Sequence, residues 1–560
     1  MRKIKFLSVI FTMLVFLAGC NKSAAADFKG KKVTVSVENA AETILGLTED
    51  TRLVLTGRFK AGDMDEIASA LEKLKENYSN NEDDSVETPT VNIFLDMSKT
   101  EGLKKIKEDC FKDLDNLVGI MLPKSVTEID GAAFWHCTFL KYIEIPNSVT
   151  RIGDRAFYYC ESLESIVIPD SVTKIEDSVF YCCTSLKSVV LPTSVTEFGH
   201  DFSNVFYGCE NLSSITIPGN AWKFEDEYSS SDVLVYVKDN VVYAQCDEKE
   251  LLDFYPAGKK DKKFKIPDTV TVIGDSAFAG CSFLETVIIP NSVTEIYGRA
   301  FSYCMSLESI VIPDSVTEIG NSVFWHCESL KTVVIPDSVS KIRDNAFWSC
   351  SSLESIVIPD SVTEIGDYAF DSCESLKTVV IPDSVTKIGK GVFEHCESLE
   401  SVKLSESLDS IPDVAFHSCE SLISVELPKT VWEIGDNAFG NCHKLRAVGH
   451  NINLDPDIGV ITCFRIGEAA FYGCESLKNI AVWPGINDLG ENAFYGCASL
   501  QTFSSPFNYN EKMNDGTLVG DYIFGKGYWP DRVRTGTSDS SEFSGDWEYT
   551  DVPYEHRYNK

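Results

Sequence analysis

The feature that most constrains this chain is a text that returns every 23 residues. The stretch Ile358 to Ile381, IPDSVTEIGDYAFDSCESLKTVVI, shows it complete. Read from cysteine to cysteine, the period is unbroken through Cys281, Cys304, Cys327, Cys350, Cys373, Cys396, Cys419 and Cys442. An upstream block carries it at Cys137, Cys160 and Cys183, then at Cys209 after three extra residues. Cys474 and Cys497 lie beyond a nine-residue expansion. A chain built this way grows by adding coils. Its 560 residues therefore do not imply the roughly three or four separate domains that length alone suggests.

Each repeat position has a physical job. In the coil ending at Ile381, Leu376, Val379 and Ile381 fit an L-x-x-I-x-I strand with inward side chains, while Lys377, Thr378 and Val380 face away or flank it. Pro382 lacks an N–H and suits a strand end. Val385 and Ile388 mark a second short extended piece, and Gly389 permits a turn. Ala369, Phe370 and Cys373 form the inward side of a tight helical turn on the far side. One coil alone orders more backbone than its apolar side chains can stabilise, so neighbours must cover both open faces and the ends need caps. Leu and Ile at fixed offsets in such a period mark a leucine-rich-repeat solenoid. The expected fold is mostly β, with short parallel strands on one face, short helical turns opposite, and a small α+β N-terminal cap.

The charges fit parallel stacking in register. The residue after the strand Leu runs Glu308, Lys331, Glu354, Lys377, Glu400, and the residue before the second-piece Ile runs Glu318, Lys341, Glu364, Lys387. Strands about 4.8 Å apart would set these opposite signs side by side. Duplication of a two-coil unit yields the same text, and the two readings are compatible.

The pattern C-x-x-L-x-x-I-x-I-P-x-x-V-T-x-I-G-x-x-A-F, matched from about residue 123 to 500, resembles the BspA-like family of bacterial leucine-rich repeats, also called the Treponema pallidum type. The motif is specific for the fold and weakly specific for the ligand. The resemblance implies that the longer strand lines a concave face. It also implies adhesion to host matrix or plasma proteins, or co-aggregation with other cells.

The remaining segments divide as follows. Residues 1–20 read as an export signal: Arg2, Lys3 and Lys5 open it, and the apolar run Phe6 to Leu17 is too short to span a bilayer. It ends in Leu17-Ala18-Gly19-Cys20, which resembles a lipoprotein lipobox. That resemblance implies cleavage before Cys20 and a diacylglycerol on its sulfur, fixing the chain to the cell envelope, on its outer surface. Residues 21–31 are a tether. Residues 32–98 form the N-terminal cap, with strands at Thr51–Leu55 and Val91–Met97, a helix at Asp63–Asn77 and an acidic loop at Asn80–Glu87. A small independent binding domain is the alternative reading of the cap. The first repeat block covers 99–218 and opens on a degenerate coil in which Leu114 takes the cysteine position. Residues 219–266 are a hairpin insertion with strands at Val233–Val237, Val241–Ala244 and Leu251–Tyr255. The insertion also carries Lys259, Lys260, Lys262, Lys263 and Lys265, either a solvated face or an anion site. The second block covers 267–503. Asp455 and Asp457 within it are too few for a calcium cage and read as a turn. Residues 504–560 are a C-terminal cap or a partly disordered tail.

Composition excludes several functions. A net charge of −35 leaves no clustered cation surface for nucleic acid. Of nineteen cysteines, fourteen share one repeat position beside a core Phe, which points to buried free thiols rather than disulfides. The states of Cys110, Cys182, Cys246 and Cys463 stay open. His136, His326 and His395 each precede a ladder cysteine, and side chains next to one another point to opposite sides, so they are expected on the surface and no metal is expected. No catalytic motif is present, and each carboxylate has copies in neighbouring coils, so neither an enzyme nor a cofactor is expected. A hidden enzyme in the cap or the insertion has no residues to carry it.

A binding role has a candidate surface. The outward central strand position reads Ile288, Val311, Val334, Val357 and Val380, then Lys403 and Glu426. This apolar stripe, flanked by Lys331 and Lys377, suits docking of protein ligands, although β-branched residues favour strands in any case. A scaffold of the periplasm or envelope without a host ligand is the competing reading.

Overall fold

A computed structural model of the chain describes residues 28–79, 91–199, 202–217, 222–225, 232–246, 249–449, 459–482, 486, 488–505, 512–513, 517, 519–525, 532–535 and 548–551. The signal segment with Cys20, most of the tether, the acidic loop, the Asp455–Asp457 turn and most of the tail lie outside the described residues. Two compact units are present: residues 1–260 with 276–283, and residues 261–275 with 284–560.

The first unit opens with parallel strands Lys31–Ser36, Thr51–Arg58 and Ile93–Glu101, linked by helices Ala40–Leu45 and Asp63–Ser79. The expected strands and longer helix are in place. The first strand and first helix were not foreseen. The longer helix buries Ile67, Ala70, Leu71 and Leu74, the residues at its 3.6-residue spacing, in one cluster with Leu53, Leu55, Ile93 and Leu95. Strand Ile93–Glu101 then pairs in parallel with Leu117–Met121, which pairs with Tyr142–Glu144. The sheet of the N-terminal segment thus continues into the long strands of the first coils and satisfies their open edge.

Two ladders run through the coils. In the first block, Arg151, Lys174 and Glu197 stand in register on the short second strand, and Ser165, Ser188 and Ser214 on the long one. The three extra residues before Cys209 are absorbed by a helix, Phe202–Phe206, and the row of core phenylalanines continues unbroken, with Phe180 and Phe206 centred 5.6 Å apart. The insertion is an antiparallel meander of four strands, Trp222–Glu225, Asp232–Lys238, Val241–Cys246 and Lys249–Phe254, one more than the sequence suggested. Asp239 and Asn240 both have positive φ, the two-residue turn that matches strand twist. Its Phe254 lies 6.0 Å from Phe206, so the meander packs on the last coil of the first block.

In the second unit the second strands place Glu318, Lys341, Glu364 and Lys387 in register. The nine-residue expansion leaves the ladder intact, since Glu433 pairs directly with Arg465. Phenylalanine rings stack from Phe301 to Phe494 with centroids 5.0–5.6 Å apart.

The third side of each coil refines the expectation of a helical turn. Ala369, Phe370 and Cys373 do point inward and are fully buried. Their backbone, however, forms a run of tight turns in which Tyr368 and Ser372 adopt left-handed φ of 54° and 57°. Flipping alternate residues aims N–H groups along the stack. Asn345, Phe347 and Ser349 donate to the carbonyls of Asp367, Ala369 and Asp371 in the next coil at 2.8 Å each. A third inter-coil ladder therefore alternates with short bonds inside the coil, such as Trp348 N–H to Asn345 O at 3.2 Å. Gly389 is needed for proximity, not for a turn: a Cβ there would meet the Asp367 amide nitrogen at 2.3 Å.

The fourteen ladder cysteines are buried and free. Most of these thiols donate to the carbonyl of an aromatic residue in the preceding coil, as Cys373 Sγ does to Phe347 O at 3.3 Å and Cys281 Sγ to Tyr255 O at 3.6 Å. Burial pushes the Cys350 and Cys373 thiols well above their ordinary pKa. Off the ladder, Cys110 and Cys182 are half-buried and free, and Cys463 is buried and free. Burial pushes Cys463 up to about 12.

Maleimide should leave the ladder thiols of the native protein unmodified and react with all of them in denaturant. Modification of most of them before unfolding would contradict this packing. Replacing Phe370, whose ring stacks between Phe347 and Phe393 at 5.3 and 5.4 Å, by Ala should cost about 3–5 kcal/mol in urea unfolding. A loss below about 1 kcal/mol would show that the row is not tightly packed.

Candidate functional site

The stripe residues sit where the alternation of the strand puts them. In the three-residue strands of the stripe the middle side chain is buried and its neighbours are not: Val333 and Val379 point inward between exposed partners. Ile288, Val311, Val334, Val357 and Val380 are 52, 60, 55, 78 and 54% exposed. Such values are unusual for β-branched side chains in adjacent strands. The equivalent Val167 and Val190 of the first block are only half-exposed, so the open stripe belongs to the second unit.

Charge bounds the stripe at both ends. Lys265 is in register with Ile288, and Lys403 with Val380. Lys331 lies along one edge, 3.7 Å from Glu308, and Lys377 occupies the same offset two coils on. The expected alternation is thus only partly closed on this edge. On the second strand Glu364 lies 3.2 Å from Lys341 and 3.5 Å from Lys387, while Glu318 pairs with Arg343 at 2.8 Å. The hydrogen bond from Lys341 lowers the Glu364 pKa.

The stripe is most open where the long-strand ladder is weakest. Among the described residues, Ser355–Ile358 forms no strand, and its one bridge joins Ser355 to Thr378. The second-strand ladder beside it is unbroken. A groove of ≈ 560 Å³ lies there, lined by Ser355, Val357, Thr378, Val380, Asp383 and Lys403. It combines apolar walls, hydroxyl groups, the carboxylates of Asp360 and Asp383 and the Lys403 ammonium, which suits a peptide or protein surface better than a small anion.

The lysine run of the insertion is engaged within the protein. Lys259 donates to Asp239 O at 2.8 Å and lies over the Tyr255 ring, and Lys260 lies over Phe283. Lys262 pairs with Glu285 at 2.6 Å and Lys265 with Asp268 at 3.1 Å. These contacts fit the solvated-face reading.

The histidines share a repeat position but not an environment. His136 contacts Asp113 at 3.0 Å. His326 stacks on Tyr303 with centroids 4.9 Å apart. His395 is exposed while Cys396 beside it is buried, so the two cannot share an ion. Its neighbours Glu394 and His417 went unnoticed in the sequence, although all three approach one another closely. No helix among the described residues is long and apolar enough to cross a membrane.

Against curated proteins the chain has no match. Among solved structures it is similar to a leucine-rich repeat protein from Bacteroides ovatus, at 27% identity over 72% of this chain and 82% of that one, with a TM-score of 0.40. A leucine-rich repeat protein from Eubacterium ventriosum is 24% identical over 61% of this chain and 88% of that one, with a TM-score of 0.43. The T. pallidum leucine-rich repeat protein is 32% identical over 35% of this chain and 83% of that one, with a TM-score of 0.29. The model of the BspA-type leucine-rich repeat region matches residues 102–231, 254–366, 340–456 and 456–517. With its period, its stacked phenylalanine and cysteine rows and this match over most of its length, the chain belongs to the BspA-type leucine-rich-repeat family.

Proposed function

We propose that this protein is a non-enzymatic lipoprotein of the bacterial cell surface that docks other proteins on the long-strand face of its second repeat block. The repeat family is generally a scaffold for protein interaction. The observation that carries the reading is the row of five exposed β-branched side chains ending at Lys403. Exposed apolar surface of this kind is costly to keep in water and is common at interaction sites. Ile288, Val311, Val334, Val357 and Val380 form the contact stripe, with Lys331 and Lys377 at its edge selecting acidic partners. The ligands are host matrix or plasma proteins, or proteins on other cells. Anchoring rests on Cys20 and the apolar run before it.

Replacing Val334, Val357 and Val380 together by Asp should abolish capture of matrix or plasma proteins by the soluble form lacking residues 1–20, while the circular dichroism spectrum and melting midpoint stay close to the parent's. Unchanged capture would remove the stripe as the site. Replacing Cys20 by Ala should eliminate incorporation of radiolabelled fatty acid and shift the protein from the membrane fraction to the soluble one. Protease treatment of intact cells separates surface docking from an envelope scaffold: complete protection would count against adhesion.

A further inference from the structure

The row two positions before each ladder cysteine is mostly aromatic. Trp135, Tyr158 and Tyr181 stack in one block, with centroids 4.7 and 4.6 Å apart, and Trp325 and Trp348 in the other at 5.6 Å. Three consecutive coils break this row with Asp371, Glu394 and His417. His395, one position on, joins them. Ala279, Ser302 and Gly440 also interrupt the aromatics but carry no metal-ligating atom, so the three different metal-ligand types in successive coils stand apart in this row.

We infer that Glu394, His395 and His417 bind one divalent transition-metal ion of the zinc class, with Asp371 orienting His395. One ligand atom from each of the three lies within 4.8 Å of the others. Glu394 Oε1 is 3.3 Å from His417 Nδ1. Two ligands held about 2.0–2.1 Å from a tetrahedral ion are about 3.3–3.4 Å apart, which this spacing matches. Asp371 Oδ1 lies 3.3 Å from His395 Nδ1, a carboxylate–imidazole contact that holds the ring beside Glu394, whose Oε1 is 4.0 Å from the same nitrogen. The His395 side chain is 46% exposed, which gives ions a path to the site. The side chains of Asp371, Glu394 and His417 are 8, 16 and 23% exposed, which holds two like charges in adjacent coils largely out of water. A cation offsets that repulsion.

Supporting contacts surround these groups. Ser372 Oγ donates to Asp371 Oδ1 at 2.9 Å. The Asn441 side-chain amide lies 3.4 Å from His417 Nε2. The atom placed there is the amide Nδ2; exchanging the amide nitrogen and oxygen lets the oxygen accept the Nε2 proton and leaves the Nδ1 lone pair for the ion. Nitrogen and carboxylate donors with a position left for water suit zinc and its neighbours rather than calcium or magnesium.

The test titrates the untagged full-length chain, freed of metal by chelation, with zinc against a competing chromophoric chelator. We expect about one tight equivalent per chain. His417→Gln should lose it, Asp371→Asn should weaken it about 10–100-fold, and His326→Gln should leave it unchanged. Melting of the metal-free variants by circular dichroism checks that each folds. Should His417→Gln fail to fold, cobalt added to the parent chain gives an independent readout. Tetrahedral d–d bands without a sulfur-to-cobalt charge-transfer band support the site. A sulfur band, no bound metal, or zinc binding unaltered in a folded His417→Gln protein would overturn it.

Discussion

Backbone hydrogen bonds between successive coils run along three sides of the repeats and are sparsest on the long strand at Ser355–Ile358. Both strands pair in register with the next coil, as Thr378 does with Ser401 and Glu364 with Lys387. The turn side does the same through Phe347 and Ala369. This constraint turns every repeat position into a row. A buried row must carry residues of one size, because any change meets copies above and below. Hence the unbroken phenylalanines, the cysteines that fill the space beside them, and the glycines at Gly366 and Gly389, where a Cβ would strike the backbone of the preceding coil. Sequence periodicity is thus the visible mark of a hydrogen-bonding requirement, which makes the stack cooperative.

Outward rows escape this requirement, and there the differences carry information. The long-strand face of the second unit holds five β-branched residues and then turns to Lys403 and Glu426. On the aromatic row, Asp371, Glu394 and His417 replace stackable rings in three adjacent coils. Both departures lie in the second unit, and neither helps the stack: one exposes apolar area, the other gathers like charges. Features that cost stability in an otherwise self-consistent array are where function is to be sought.

The repeat itself was legible because burial on this fold follows fixed offsets. Leu376, Val379, Ile381 and Phe370 could be assigned an inward direction from spacing alone, and so could the exposure of Val380. The turn side was less legible. Left-handed φ at Tyr368 and Ser372 carries no compositional signal, since Asn, Ser, His and Tyr all occupy those positions and the bonds that hold them come from another coil. Gly389 was read as a turn residue because sequence reveals freedom of φ more readily than crowding by a neighbour. Strand Lys31–Ser36 has a short alternation, KKVTVS, too weak to distinguish beside a polar segment. The Glu394–His395–His417 cluster was missed by reading histidines along the chain. Aligning the coils in columns places Asp371, Glu394 and His417 in one row.

The central claim is that residues 23 apart are nearest neighbours in a parallel, in-register stack whose outward rows form a continuous face. A distance measured across several coils tests it most directly. Spin labels on unnatural side chains at positions 311 and 403, four coils apart, leave the buried thiols untouched. Electron–electron resonance should give a narrow distribution centred at about 20 Å, four steps of about 4.8 Å. A broad distribution, or one centred beyond about 30 Å, would contradict the stack and the docking face built on it.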